Sequence, residues 1–198
     1  MGKFNMNDLK NGLATFTTGE NFHAYNTLGA HKATVDGKDG FIFSVWAPNA
    51  QNVSLVGEFN KWQAEGIPLT KDQAGVWSVF TTIPKEGQMY KYNVTQANGR
   101  QIFKIDPFAQ RFEKRPGDAA ILYDLKDFHW TDGLWRGRQK RSNYFERPLN
   151  IYEVHASSWK HHADGSPYTF KDLTDELVPY LKKMGYSHVE FMPLMEHP

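Results

Sequence analysis

The sequence contains no cysteine. This absence excludes a disulfide scaffold and a metal site built on thiolates, and it is compatible with a reducing compartment. Long hydrophobic runs are missing as well, since no stretch approaches the roughly 20 apolar residues that a membrane-spanning helix needs. Residues 1–16 contain no apolar segment of the length typical of a signal peptide. We therefore expect a cytoplasmic protein that has no membrane partner.

The chain also lacks an excess of charge of one sign. Its 198 residues include 23 basic and 22 acidic side chains, which give a formal net charge of +1. The basic run from Arg136 to Arg141 therefore fits a solvent-exposed linker better than a phosphate or nucleic-acid contact. We expect no nucleic-acid partner.

Aromatic residues, by contrast, are abundant: 14 Phe, 9 Tyr and 6 Trp make up 15% of the chain. One interpretation is a β-rich core, and the other is a surface that stacks on planar or sugar ligands. Alternation between two faces, which is typical of half-buried strands, occurs in five segments. These segments are residues 41–47, 53–59, 75–83, 89–95 and 100–105.

Turn signals separate these segments. Pro48-Asn49 joins the first two predicted strands, which we interpret as a hairpin. Asp36-Gly37 is a turn that leads into the first of them. Asn98-Gly99 predicts a hairpin with a type I′ turn, because that turn needs positive φ at two residues. Short strands with such frequent turns predict a mainly β fold, an immunoglobulin-like antiparallel β-sandwich.

The pattern changes after residue 149. A short apolar strand covers 151–155, a helix begins at Thr169 and ends near Gly185, and a second strand follows at 189–192. Pro179 predicts that this helix is kinked or restarted. Strand–helix–strand units build parallel sheets, which need more than two strands. We therefore expect the first β-α-β unit of a truncated (β/α)8 barrel, whose complete form needs about 250 residues.

These patterns predict four parts of the chain. They are a lead-in over residues 1–19, the β-sandwich module over 20–124, a linker over 125–148, and the start of a truncated barrel over 149–198.

Several motifs resemble those of a known family. The order FSVWAPNA at 43–50, VGEFNKW at 56–62 and IDPFA at 105–109 resembles carbohydrate-binding module family 48. That module precedes the catalytic barrel in many glycoside hydrolase family 13 enzymes. The motifs RPGD at 115–118, NIYEVHASSW at 150–159 and the segment 175–198 are similar to those of bacterial 1,4-alpha-glucan branching enzymes.

This resemblance implies a retaining mechanism. Two carboxyl groups about 5 Å apart would flank an α-1,4 glucan bond, and the 6-hydroxyl of another glucose unit would accept the cleaved chain. In the family these carboxyl groups lie near later barrel strands, beyond Pro198, so we assign no catalytic residue to this chain. Glu153 and His155, two apart on a strand, are expected to have structural roles.

The resemblance also implies an α-glucan partner, such as glycogen or an amylose-like chain, and packing of the module against the rest of the barrel. Trp62 and Lys91 match the family's glucan-binding pair, and they are our candidate substrate-binding residues. The alternative interpretations are that Trp62 packs in the protein interior and that Lys91 is an ordinary surface lysine. A second aromatic often follows the Asn98-Gly99 position in the family, but here we identify no tryptophan there, so weak binding is expected.

No cofactor and no metal are expected. His161, His162 and Asp164 are close in sequence, but their loop offers no fourth ligand. Two other functions stay open. One is a stand-alone glycogen-binding scaffold module, against which the strand–helix–strand unit argues. The other is a different family 13 enzyme, such as a debranching enzyme, an isoamylase or a trehalose-forming enzyme.

Overall fold

The computed structural model describes residues 6–16, 18–125, 129–143 and 146–195. The chain divides into two compact units, Met1–His129 and Trp130–Pro198, which are described separately below. Within the described residues, no helix combines the length and the apolar character that crossing a membrane requires.

The described residues of the first unit form one α-helix, two short 3₁₀ helices and nine strands. They are α1 Met6–Phe16, 3₁₀ helices Ala24–Asn26 and Glu58–Asn60, β1 Gly29–Val35, β2 Lys38–Trp46, β3 Asn52–Gly57, β4 Ile67–Pro68, β5 Thr70–Lys71, β6 Val76–Thr81, β7 Met89–Thr95, β8 Gln101–Lys104 and β9 Ala120–Ile121. The second unit contains α2 Gly133–Arg141, β10 Ile151–Val154, α3 Phe170–Met184 and β11 His188–Phe191.

The strands of the first unit form two antiparallel sheets. One has the order β1-β2-β6-β5, and the other has the order β4-β3-β7-β8 with β9 paired to β7. Apolar side chains from both sheets meet in one core, in which Phe43, Leu55 and Tyr92 are fully buried. The predicted antiparallel β-sandwich is thus confirmed.

The first two predicted strands, however, are not a hairpin. β2 pairs with β1 and β6, whereas β3 pairs with β4 and β7 in the other sheet. The connection after Trp46 therefore crosses between the sheets. The Trp77 indole N–H donates to the Ala47 carbonyl at 2.9 Å, and Lys71 Nζ donates to the Pro48 carbonyl at 2.6 Å. These bonds satisfy the backbone of the crossing segment without a hairpin ladder.

The type I′ turn occurs at the other turn dipeptide. Asp36 and Gly37 have φ of 49° and 75°, and they join β1 to β2 in a two-residue hairpin. At the β7–β8 connection only Gly99 has positive φ among the turn residues, and the Gly99 N–H donates to the Gln96 carbonyl. The hairpin predicted at Asn98-Gly99 is therefore present, but its type I′ turn is wrong, because the loop is longer than two residues.

Helix α1 covers the outside of the four-stranded sheet. Leu9 is buried against Ala33 of β1 and Ile42 of β2, while Phe43 points into the core between the sheets. β2 is therefore apolar on both faces, which explains the nearly continuous apolar run in its sequence.

The second unit confirms the predicted strand–helix–strand unit. β10 and β11 are parallel, and Leu173 and Leu177 of α3 pack against Val154. The Thr169 N–H donates to the Asp172 carboxylate at 2.8 Å in a capping box, and Gly185 ends the helix with φ of 77°. The helix is not restarted at Pro179, since α3 is one continuous helix from Phe170 to Met184 with Pro179 inside it. α2 lies in the stretch that the sequence predicted as a linker.

Candidate functional site

The candidate site lies on the outer face of the five-stranded sheet. Tyr90 and Tyr92 are buried in the sandwich core, so the alternating residues Lys91 and Asn93 lie on the opposite face of β7. The strand register places Val56 beside Lys91 and Ser54 beside Asn93.

The loop that carries Trp62 crosses this outer face. Ser54 Oγ and Asn93 Nδ2 both donate to the Ala64 carbonyl, at 3.1 and 2.8 Å. At the start of the loop, the Glu58 carboxylate accepts a hydrogen bond from the Met89 N–H at 2.8 Å. These bonds fasten residues 58–64 to β3 and β7, so the loop lies over the face to which Lys91 belongs.

The backbone at Trp62 has an uncommon conformation. Lys61 and Trp62 have φ of 56° and 60°, a region in which bulky residues are rare. The Trp62 N–H donates to the Gly57 carbonyl at 2.9 Å, and Asn60 accepts from the Gly57 N–H and donates to the Gln63 carbonyl, both at 2.8 Å. This network holds the half-buried Trp62 in place. Strained backbone of this kind is concentrated at ligand-binding sites.

Gly57 permits the close approach of this loop to β7. A Cβ atom at residue 57 would lie 2.3 Å from the Met89 carbonyl oxygen and 2.7 Å from the Phe59 ring. A side chain at this position would therefore displace the segment that positions Trp62.

Lys91 forms an ion pair with Asp118. The lysine side chain is only 13% exposed, whereas the aspartate side chain is 81% exposed. Asp118 precedes β9, which pairs with β7 beside Lys91. Sequence reasoning missed Asp118 as a site residue, because it is 27 positions away and only the β7–β9 pairing brings it to Lys91.

Phe103 adds an aromatic ring to the same face. It pairs with Asn93 in the β7–β8 register, and 47% of it is exposed. Its neighbour Ile102 pairs with Val94 and lies on the inner face. The sequence predicts that Ile102 or Phe103 borders this patch, but alternation alone does not say which of the two lies on the same face as Lys91.

Asn93 contributes a buried acceptor to this face. Asn93 Oδ1 is buried and accepts no hydrogen bond from the described residues, although Asn93 Nδ2 donates to Ala64.

The opposite face of β7 carries a buried polar network. The hydroxyls of Tyr90 and Tyr92 donate to Asp106 Oδ2 at 2.8 and 3.2 Å, and the Phe108 N–H donates to Asp106 Oδ1 at 2.9 Å. Burial raises the pKa of the Asp106 carboxyl, and these hydrogen bonds oppose that rise. Burial, followed by the Asp106 charge, raises the pKa of both tyrosines well above the usual value. The network fixes the strand on which Lys91 lies.

In the second unit, Glu153 and Glu190 are neighbours in the parallel register, and both are exposed. His155 Nδ1 lies 3.1 Å from the hydroxyls of both Ser157 and Ser158. These contacts are local to β10, β11 and the loop after β10.

The histidine loop of the second unit is held by local hydrogen bonds. His162 Nε2 lies 3.2 Å from Asp172, and Asp164 accepts from the N–H and hydroxyl of Ser166. The Ser166 bonds lower the pKa of Asp164, and the Thr169 bonds lower the pKa of Asp172. Among the described residues, no group of three His, Asp or Glu side chains is placed to hold a metal ion.

A family model matches the part of the chain that contains this site. Residues 27–109 match the family described as carbohydrate-binding module 48, the isoamylase N-terminal domain. Trp62, Lys91 and Phe103 all lie within the matched residues, whereas Asp118 lies outside them.

Relatives of known name match nearly the whole chain. The chain is 50% identical to the 1,4-alpha-glucan branching enzyme GlgB of Lactobacillus acidophilus over 191 residues, which is 96% of this chain and 29% of that protein. It is 46% identical to the enzyme of the same name from Lactiplantibacillus plantarum, over 92% of this chain and 28% of that protein. The chain thus spans less than a third of these relatives' length. The resemblance inferred from the motifs is confirmed.

Solved structures show the same fold. A putative alpha amylase from Salmonella typhimurium has a TM-score of 0.59 and 21% identity, covering 86% of this chain and 25% of that one. A GBS pullulanase in complex with maltotetraose has a TM-score of 0.58 and 20% identity, covering 86% and 24%. At this identity the likeness concerns the fold alone.

Proposed function

We propose that the protein is the N-terminal part of a 1,4-alpha-glucan branching enzyme, because residues 27–109 match the model of carbohydrate-binding module 48 and nearly the whole chain is similar to enzymes of this name. The complete enzyme cleaves an α-1,4 glucan chain and transfers it to a glucose 6-hydroxyl, which makes the α-1,6 branches of glycogen. The observation that carries this proposal is the identity of 42–50% with enzymes of this name over 92–96% of the chain.

The outer face of the five-stranded sheet is the proposed α-glucan site. Glucose rings have apolar C–H faces and polar rims, so they suit an aromatic plane with hydrogen-bond donors beside it. Trp62 supplies the plane, Lys91 supplies the donor, and Phe103 is the further aromatic. The fastening of the Trp62 loop to Asn93 supports one continuous surface, because Asn93 is two residues from Lys91 on β7.

The reaction itself is assigned to residues outside this chain. A retaining transfer needs a carboxylate nucleophile and a carboxylic acid on opposite sides of the scissile bond. The exposed neighbours Glu153 and Glu190 project from adjacent positions of one two-stranded sheet, so they do not provide two opposed sides. The module then holds the glucan. The remainder of the barrel packs against this chain and cleaves the bound glucan. We also propose that the enzyme acts in the cytoplasm.

The second unit weighs against a stand-alone scaffold module. The similarity to branching enzymes extends through most of both units, and the second unit is a parallel strand–helix–strand unit of the kind that begins a barrel. A scaffold that only binds glycogen would have no need of that unit.

Activity on amylose tests this function. The complete product of the gene should lower the iodine absorbance of amylose without a matching rise in reducing ends, because the chain is transferred and not hydrolysed. The 198-residue chain alone should change neither quantity, since single losses from a catalytic set already cost orders of magnitude in rate. A rise in reducing ends with the complete product would instead indicate an α-1,4 hydrolase. A debranching enzyme would leave amylose unchanged and would release reducing ends from glycogen, whose α-1,6 bonds it hydrolyses. Activity of the 198-residue chain that persists through repurification would overturn the assignment of catalysis to residues outside it.

A further inference from the structure

A second concave surface lies at the opposite end of the sandwich from the Trp62 loop. It is an open groove of about 640 Å³, within the size range of ligand sites, and we call it the end groove. It lies where β2 ends, where β3 begins, and where the loop after β7 turns into β8.

The end groove arises from an overhanging sheet edge. β8 is the last strand on its side of the five-stranded sheet, and Ile102 and Lys104 pair with Val94 and Tyr92, so all four lie on the inner face. The opposite sheet covers Tyr92 completely but leaves Val94 and Ile102 only partly buried. The result is an apolar floor that is open to solvent.

A fixed tryptophan lines the end groove. Trp46 is 54% exposed, yet its indole N–H donates to the Ala74 carbonyl at 3.2 Å. The Phe16 ring packs edge-on against it, with 5.9 Å between the ring centres. These two contacts fix the exposed Trp46 ring before any ligand binds. Little side-chain entropy is therefore lost when a ligand stacks on it.

The rim of the end groove is polar and carries no acidic residue among its lining. Asn49, Gln96 and Asn98 supply amide groups, and Lys104 supplies an ammonium. A neutral ligand with apolar faces and many hydroxyls fits a floor of aliphatic and aromatic carbon with amide donors at the edge. The single charge on the lining gives no basis for an acidic or basic peptide.

We propose that the end groove is a second α-glucan site, separate from the outer-face site. Lys91 and Thr95, where β7 reaches the loop at the end groove, are four residues apart, which is roughly 13 Å at about 3.3 Å per residue. Neighbouring segments of a branched polymer can therefore occupy both sites of one molecule. Two weak sites then act together through a high effective concentration, which suits a module that holds glycogen near a catalytic domain. The proposal shares the ligand class of the proposed function but uses different residues.

NMR titration of the 198-residue chain with maltoheptaose tests this proposal. Two separate groups of backbone amides should shift: one at residues 57–64 and 91, and one at residues 46–50, 94–98 and 102–105. In the Lys91→Ala variant the first group should respond less while the second group is unchanged. In Ile102→Glu, which puts a charge on the groove floor, the second group should bind about tenfold more weakly. Cellohexaose, with β-1,4 links, is the control ligand.

Phe103→Glu is the matched control variant, because it puts the same charge on the same strand but on the outer face. Binding reported by the first group of amides should be weaker in this variant, and binding reported by the second group should be unchanged. Shifts in the first group alone would overturn the end groove as a glucan site and leave the proposed function standing. If neither group of amides shifts, the result would contradict both the end-groove site and the outer-face glucan site of the proposed function. The NMR signals of the end-groove amides could instead broaden with protein concentration before any sugar is added. That result would overturn the proposal, because it would show that the end groove contacts a second copy of the chain.

Discussion

The charged side chains on the two faces of β7 serve different purposes. Lys91, on the outer face, pairs with an exposed carboxylate at the protein surface. Asp106 lies under the inner face and accepts hydrogen bonds from Tyr90 and Tyr92 in the core. The outer pair is accessible to a ligand, whereas the inner network stabilises the strand that carries it.

Replacing Asp118 should strengthen glucan binding. The Lys91 ammonium donates to the Asp118 carboxylate, so a glucan hydroxyl has to share or displace that acceptor. Asp118→Asn keeps the shape and removes the charge. We expect an affinity a few-fold higher and a modest loss of unfolding free energy, because the Lys91 ammonium is only 13% exposed but keeps a neutral hydrogen-bond acceptor. Titration of both proteins with maltoheptaose measures this. Weaker binding by Asp118→Asn would show that the carboxylate itself accepts from the sugar.

The Asp106 carboxyl makes stability depend on pH. Burial raises its pKa above the unfolded-state value of about 3.9, so the folded chain holds this proton more tightly. The resulting stabilisation is fully present below the unfolded pKa and is lost as the pH rises through the folded pKa. Relative to Asp106→Asn, the parent chain should therefore gain unfolding free energy between about pH 7 and about pH 4. Urea unfolding of both proteins at both pH values checks this, and a difference that does not change with pH contradicts it.

At the scale of the elements, alternation located the strands of the sandwich but not all of their partners. β3, β6, β7 and β8 follow the predicted alternation closely. β2 and β3 were assigned to one hairpin because they are adjacent in sequence, whereas their apolar faces are buried in two different sheets. β1 was missed because polar residues such as His31, Lys32 and Thr34 interrupt its pattern. His31 is nevertheless buried and bonds to the Leu28 carbonyl.

Packing of α1 on the four-stranded sheet should contribute strongly to the stability of the first unit. Leu9 is 2% exposed and contacts Ala33 and Ile42. Leu9→Ala should lower the unfolding free energy by about 2–4 kcal/mol, because it leaves a cavity between helix and sheet. Lys10→Ala, at an exposed position of the same helix, is the control and should change little. Equal effects of the two changes in urea unfolding would mean that α1 does not stabilise the sheet.

For the whole molecule, the sequence predicted the fold class of each unit: a β-sandwich, and a strand–helix–strand unit. It did not predict which residues come together in the site. Trp62 and Lys91 are recognisable from their motifs. Asp118 is not, because only the pairing of β9 with β7 brings it to Lys91. For Phe103, the choice between it and Ile102 depends on the pairing of β8 with β7. Long-range pairing of this kind has no local signal in the sequence. The extent of a site therefore has to be taken from the sheet register.

The second unit should be the less protected of the two. Val189 and Phe191 of β11 are 40% and 38% exposed, since two parallel strands and one helix leave apolar faces uncovered. Hydrogen exchange should therefore be faster at the Val189 amide than at the Val79 amide, which lies in β6 between two neighbouring strands. Exchange measured by NMR on the monomeric chain decides the matter. Equal protection at both amides would refute this ranking of the two units.

The central claim is that the outer face of the five-stranded sheet binds α-glucan, and affinity electrophoresis through a glycogen-containing gel tests it most directly. The parent chain should be retarded relative to a glycogen-free gel. Removing the Trp62 ring costs about 1–2 kcal/mol of stacking, so Trp62→Ala should bind roughly tenfold more weakly. Trp135→Ala removes an exposed ring from α2, outside the site, and is the matched control that should migrate like the parent. Circular dichroism verifies that each variant is folded. Retardation of folded Trp62→Ala equal to that of the parent would contradict the account.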